Sequence, residues 1–288
     1  MDWERHKATW PHAAHSRFIL SKPHRWHVQE AGDGPLILLI HGAGGGTQSW
    51  RHLFPLLTPD HQVVMMDLPG QGFTRSGAQQ RLGLAPMAQD LRALCDDQGW
   101  VPQVIMGHSA GAAIALEMAR YMTPAPAVIG LNAALGKFPG LAGVLFPAIA
   151  KALAMTPMVA RMFTVSTANP NAVRRLINGT GSALSEAELA GYRALIGDPT
   201  HVNGALGMMA QWDLGPLLDA LPSHPSRTFL ITGDKDTTVP PSVSVEAATR
   251  MPDAAHLSLP GLGHLAHEED AETVFSTLQP FLAEKLSA

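Results

Sequence analysis

Three residue types that together can carry out acyl transfer each stand just beyond a short apolar run. They are Ser109 in GHSAG (107–111), Asp236 in GDKDTTVP (233–240) and His264 in GLGHLAHEE (261–269). A serine hydroxyl attacks a carbonyl carbon only when a base takes its proton, and an imidazole serves best when a carboxylate holds its other nitrogen. Gly107 and Gly111 suit a sharp strand-to-helix turn that crowds out larger side chains and leaves the hydroxyl clear at the carboxyl end of the strand. A helix beginning at Ala110 would turn its free N–H groups toward the same place.

The developing oxyanion needs donors already in position. HGAGGG (41–46) supplies a loop poor in side chains, and the N–H groups of Ala43 and Ala110 are the expected donors. The glycine run lacks the Lys-Ser/Thr ending of a phosphate-binding loop and is a weak dinucleotide signal alone, so no cofactor is expected.

Rivals exist for each role. Asp234 competes with Asp236, which is favoured by standing third after Gly233 and ahead of Pro240 and Pro241. Another position for the acid, after AVIGL, holds Asn132, which cannot carry the negative charge that stabilises an imidazolium. Among the 14 histidines, His41 reads as a loop support, His108 as a pocket residue and His267 as the nearest alternative base. HLAHEED offers two histidines and carboxylates without a third ligand in a metal-binding geometry, so no metal is expected. Cys95, the single cysteine, reads as a small buried helix residue and fits a reducing cytoplasm.

These groups need a frame. PLILLIHG, HQVVMMDLPG, PQVIMGHS, AVIGLNAA and RTFLITGDKD read as strands buried on both faces. TQSWRHLFPLL, APMAQDLRALCDDQG and AGAAIALEMARYM read as helices between them, which predicts right-handed βαβ units and a mostly parallel sheet with helices on both sides. RFILS and RWHVQEAG predict an antiparallel hairpin at the sheet edge, and EEDAETVFSTLQPFLAEKL a closing helix. From Leu135 to Trp212 the text changes to methionine-rich helices broken by FPG, TP, NPN, NGTGS and GDPT. The expected division is therefore a core of 1–134 and 213–288 with a helical cap inserted over 135–212.

With 288 residues, 46% of them hydrophobic, the chain can bury a sizeable core, and a net charge of −4 argues against nucleic acid as a partner. The N-terminal text carries charge and tryptophan where an export signal needs an apolar stretch. The most apolar stretch, 141–163, is interrupted by Pro147, Lys151, Pro157 and Arg161, so no membrane span is expected.

Taken in order, HGAGGG, DLPGQGFTRS, GHSAG, GDKDTTVP and GLGHLAHEE resemble the alpha/beta-hydrolase superfamily over nearly the whole chain from about residue 17. The resemblance implies an α/β fold and a Ser109–Asp236–His264 triad in that family's chain order. It does not choose among the family's chemistries. A serine at the elbow argues against dehalogenases and epoxide hydrolases of this superfamily, which use aspartate there.

WERHKATWPHAAHSRF, RWHVQEAGDGP, GHSAGAAIALEMA, VNGALGMMAQWDL and LPGLGHLAHEE further resemble the magnesium-chelatase accessory proteins of bacteriochlorophyll biosynthesis. That resemblance implies a role around magnesium insertion into protoporphyrin, with magnesium-chelatase subunits as expected partners; the single cysteine and the N-terminal text fit a cytoplasmic location, and the apolar cap a peripheral contact with the photosynthetic membrane. For a tetrapyrrole substrate, His108, Phe146, Met155, Met158, Met162, Met208 and Met209 are the expected pocket residues, since thioethers adapt to large flat ligands. Their plainer reading is ordinary cap core. Arg161, Arg174 and Arg175 read either as partners of ligand carboxylates or as a solvated face. The cap could instead rest on a membrane or a partner. Three functions stay open: a serine hydrolase in this pathway, a non-catalytic porphyrin-binding or chelatase accessory protein, and a generic carboxylesterase.

Overall fold

All five residues of one strand, Leu36–Ile40, are buried, and they alternate between two sides. Leu36, Leu38 and Ile40 enter one apolar cluster, while Ile37 and Leu39 enter another. Successive side chains of a strand point to opposite faces, so this run must be covered on both sides. The computed structural model describes residues 1–136 and 170–286 and shows that cover. Its sheet has eight strands: β1 (Ser16–Ser21), β2 (His24–Ala31), β3 (Leu36–Ile40), β4 (Gln62–Met66), β5 (Val104–His108), β6 (Ala127–Leu131), β7 (Thr228–Gly233) and β8 (Ala254–Leu259).

Their order is β1-β2-β4-β3-β5-β6-β7-β8. The β1–β2 hairpin and the β2–β4 pairing are antiparallel, and every later pairing is parallel. The loops after β3, β4, β5, β6, β7 and β8 consequently open at one edge of the sheet, where ligands of open parallel sheets bind.

Helices in the described residues are α1 (Trp3–His6), α2 (Phe54–Leu57), α3 (Leu84–Gln98), α4 (Ala110–Ala119), α5 (Pro170–Asn178), α6 (Glu186–Ile196), α7 (Pro199–Ala210), α8 (Gly215–Ala220), α9 (Pro241–Arg250), α10 (Ala266–Glu269) and α11 (Ala271–Leu286). α3 and α4 cover one face with Leu91, Leu94, Ile114 and Leu116. α2 and α11 cover the other with Phe54, Leu57, Val274 and Leu278. α5 to α7 form the described part of a helical insertion region between β6 and β7.

Two helices differ from their sequence reading. TQSWRHLFPLL divides into a 3-10 turn, Thr47–Trp50, and the short α2. Pro55 has no N–H to give the carbonyl of Arg51 one helical turn back, and that carbonyl instead accepts from His12 Nε2 at 2.8 Å. The closing helix likewise breaks at Asp270, whose carboxylate accepts from the Thr273 N–H at 2.9 Å and its hydroxyl at 2.7 Å, starting α11 as an N-cap does. Among the described residues no helix is long and apolar enough to cross a membrane.

Candidate active site

Ser109 occupies the turn between β5 and α4 with φ 51° and ψ −117°. A side chain other than glycine rarely adopts that conformation, which costs about 1–3 kcal/mol and persists where the surroundings impose it. They do so here. A Cβ on Gly107 would lie 2.3 Å from the Gly111 carbonyl, and one on Gly111 would lie 2.1 Å from the Ile40 carbonyl oxygen. The turn is further held by the Ser109 N–H, which donates to Leu131 at 2.9 Å, and by the Ala134 N–H, which donates to the Ser109 carbonyl at 3.1 Å.

Asp236 follows β7 and His264 follows β8. His264 Nδ1 donates to Asp236 Oδ2 at 2.7 Å, which leaves Nε2 as the imidazole's remaining basic nitrogen. The other Asp236 oxygen accepts the N–H groups of Thr238 and Val239, each at 2.8 Å. Burial alone would raise this carboxyl's pKa, but the imidazole and these donors outweigh it and hold Asp236 below the usual carboxylate range. Asp234 lies outside the pair and accepts from the Gly261 N–H at 2.7 Å, tightening the same loops.

His108 joins the serine turn to the base loop. It is buried, its Nε2 donates to the His264 carbonyl at 2.9 Å, and its ring centroid lies 4.8 Å from that of His264. This ring nitrogen is committed to holding His264. Burial, then the neighbouring His264, lowers the His108 pKa to about 3, so the ring is neutral at physiological pH.

The loop carrying Ala43 abuts Ser109: a Cβ on Gly42 would lie 3.1 Å from the Ser109 Cβ. Ala110 is the first residue of α4, so both expected oxyanion donors border the serine. His41 braces the loop as expected, donating from Nδ1 to the Gly42 carbonyl at 2.7 Å and accepting the Leu68 N–H on Nε2 at 2.9 Å.

Several supports were missed in the sequence. Asp67, from DLPGQG, accepts the Thr47 and Phe73 N–H groups and the His27 imidazole, at 2.7, 2.8 and 2.8 Å. His201 of α7 donates to the Gly44 carbonyl at 3.2 Å and accepts from the Gly72 N–H at 2.9 Å, so the insertion touches the glycine-rich loop that follows β3. No local pattern marks His201. Asn132, set aside as an acid, donates instead to Asp236 Oδ2 at 2.8 Å.

The methionine pair of α7 divides. Met208 is buried, with its sulfur 3.3 Å from Gln71 Nε2, while Met209 is 43% exposed. Phe146, Met155, Met158, Met162 and Arg161 lie outside the described residues. Arg174 pairs with Glu186. His267 donates from Nε2 to Ser49 Oγ at 3.0 Å, and that hydroxyl donates to Glu268 at 2.7 Å, so His267 is a buried structural neighbour of the site. Among the described residues no group of three His, Cys, Asp or Glu side chains is arranged to hold a metal ion. Cys95 is buried, which pushes its thiol up to about 12.

A family model described as the alpha/beta hydrolase fold matches residues 35–271. The chain belongs to the alpha/beta hydrolase family. Within that family it is 45% identical over 267 residues to the magnesium-chelatase 30 kDa subunit of Rhodobacter capsulatus, covering 92% of this chain and 93% of that one. This agrees with the second resemblance read from the sequence. It is also 28% identical to a pimeloyl-[acyl-carrier protein] methyl ester esterase of Xanthomonas oryzae pv. oryzae, over 89% of this chain and 98% of the esterase. Among solved alpha/beta hydrolase folds, the Cif epoxide hydrolase of Acinetobacter nosocomialis superposes with a TM-score of 0.79 at 20% identity, covering 97% of this chain and 94% of that one. That last likeness is one of fold alone.

Proposed function

We propose that the protein is a serine hydrolase acting on an ester or related acyl bond, and that it serves bacteriochlorophyll formation around magnesium insertion into protoporphyrin. The observation that carries the chemistry is the strained Ser109 at the end of β5, joined through His108 to a His264–Asp236 pair hydrogen-bonded at 2.7 Å. The pathway rests on similarity to the Rhodobacter capsulatus chelatase subunit.

In this reading Ser109 Oγ bonds to the carbonyl carbon as its proton passes to His264 Nε2. The Ala43 and Ala110 N–H groups hold the oxyanion, each worth about 3–4 kcal/mol in the transition state. Collapse breaks the acyl–oxygen bond, and His264 returns the proton to the leaving alcohol. Water then attacks the acyl-serine by the same proton route in reverse. Asp236 stays ionised throughout and steadies the imidazolium. A tetrapyrrole ester is the proposed substrate and magnesium-chelatase subunits the proposed partners, at the cytoplasmic side and in peripheral contact with the photosynthetic membrane.

The relative's name as a chelatase subunit supports a second reading, in which the protein binds porphyrin or assists the chelatase without turnover. A generic carboxylesterase is the third. Intact-mass analysis after exposure to a fluorophosphonate separates catalytic from non-catalytic readings. One adduct on the wild type and none on Ser109→Ala is expected, whereas an unreactive, folded wild type moves the weight to the binding reading. Complementation then separates the rest: Ser109→Ala restoring pigment as well as wild type does in a null strain removes hydrolysis from the physiological role. A generic esterase predicts no pigment defect in that strain.

A further inference from the structure

The loop that presents His264 is held from the insertion as well as from the strand ends that supply His108, Asn132 and Asp234. Two backbone N–H groups fix the attachment of its imidazole, those of His264 and Leu265. The first donates to the Thr180 carbonyl at 3.3 Å and the second to Ser182 Oγ at 2.8 Å. Both acceptors belong to the GTGSA segment, 179–183, which joins α5 to α6 in the insertion.

The same segment reaches the acid loop. The Thr180 carbonyl also accepts the N–H of Thr237, the residue after Asp236, at 3.3 Å, and Thr237 Oγ1 donates to the Gly179 carbonyl at 2.8 Å. One carbonyl thus spans the loops of the acid and the base. The approach is close enough that only glycine fits between them. Gly181 has φ 82°, and a Cβ there would lie 1.9 Å from the Lys235 carbonyl oxygen. Packing repeats the pattern, because Leu265 is buried in the insertion's own apolar cluster with Val173, Ile177, Leu184 and Leu189.

We propose that the 179–183 segment is a strap that positions the His264–Asp236 pair, with Ser182 and the Thr180 carbonyl as its positioning groups. The proposal rests on the serine-hydrolase reading above for its catalytic consequence. The strap touches neither substrate nor reacting atoms. Ser182→Ala removes the acceptor of a backbone N–H beside the base, and a misplacement of about 1 Å at such a centre costs on the order of 100-fold in rate.

Two measurements on the full chain test it. One is the rate of fluorophosphonate labelling of Ser109 as a function of pH. The other is the far-downfield proton resonance of His264 Nδ1–H bound to Asp236, assigned by its loss in His264→Gln. Ser182→Ala is expected to slow labelling about 10- to 100-fold and to broaden or remove the resonance, and Ser182→Thr to restore both. Wild-type labelling and an unchanged resonance in Ser182→Ala overturn the strap. Should Ser182→Ala fail to fold, Ser182→Cys fills the space with a weaker acceptor, and slowed or unchanged behaviour decides in the same way. A wild type that never labels counts against the hydrolase reading alone, because the resonance still reports whether the strap orders the pair.

Discussion

Asn132 and His264 share one oxygen of Asp236: Oδ2 accepts Asn132 Nδ2 at 2.8 Å and His264 Nδ1 at 2.7 Å. The amide fixes the carboxylate from the side of β6 and favours its charged form. Asn132→Ala should therefore raise the Asp236 pKa and move the acid limb of the labelling profile to higher pH, with a rate loss of about 10-fold at neutral pH. Asn132→Asp should do more harm, since two carboxylates so close cannot both ionise. A pH profile in which neither variant departs from wild type would remove Asn132 from the support of the acid.

Arg51 and Glu268 form a buried pair at 2.5 Å, and the same carboxylate accepts from Ser49 and Tyr192. Arg51→Ala leaves that carboxylate without its cation and should cost about 3–5 kcal/mol of stability. Arg51→Met combined with Glu268→Gln should recover much of the loss, because no uncompensated charge remains. Urea unfolding of the three variants checks this, and a single variant as stable as wild type would contradict it.

Gly204 of α7 lies against the DLPGQG loop so closely that a Cβ would stand 2.0 Å from the Gly70 carbonyl oxygen. Backbone meets backbone there, with no side chain to yield. Gly204→Ala should lower stability by about 1–3 kcal/mol. Gly207→Ala is the control: its Cβ would meet only Leu82 Cδ1, at 2.8 Å, and the helix gains up to about 1 kcal/mol from alanine. Thermal unfolding should rank Gly204→Ala well below Gly207→Ala, and equal midpoints would count against the close docking of α7.

Burial holds His108 at about 3 and His201 at about 4, against about 6.5 in an unfolded chain. Below about pH 6.5 the unfolded chain takes up protons that the folded one refuses. Their contribution to stability is therefore complete above about pH 6.5. It falls on acidification by about 1.4 kcal/mol per pH unit for each histidine, until the folded values are reached. His41 and His267 act in the same direction. Denaturant midpoints at pH 7, 6 and 5 should drop progressively, and a flat series would mean that these rings are not held neutral.

How much of this was legible depended on whether the information was local. Short unbroken apolar runs and turn punctuation displayed the central strands, because a strand covered on both faces has little choice of composition. The turn at Ser109 was legible because steric crowding demands Gly107 and Gly111 by name. TQSWRHLFPLL was read as one helix although its breaker is local: Pro55 has no N–H for the Arg51 carbonyl, and only the group that satisfies that carbonyl instead, His12, is distant, 39 residues away. NGTGS read only as punctuation, since nothing in five residues discloses that they bond to loops more than fifty positions later. His201 and Asn132 were hidden for the same reason: their partners are set by topology.

Leu265 is anchored among insertion side chains while its neighbour His264 faces the core's own acid. The insertion is thus not an interchangeable lid. On the proposed hydrolase reading, a chimera that took this region from a relative would import a new roof together with a new footing for His264, so selectivity and rate would be inherited together. Engineering that aims to alter one without the other has to graft around residues 179–184 and keep them.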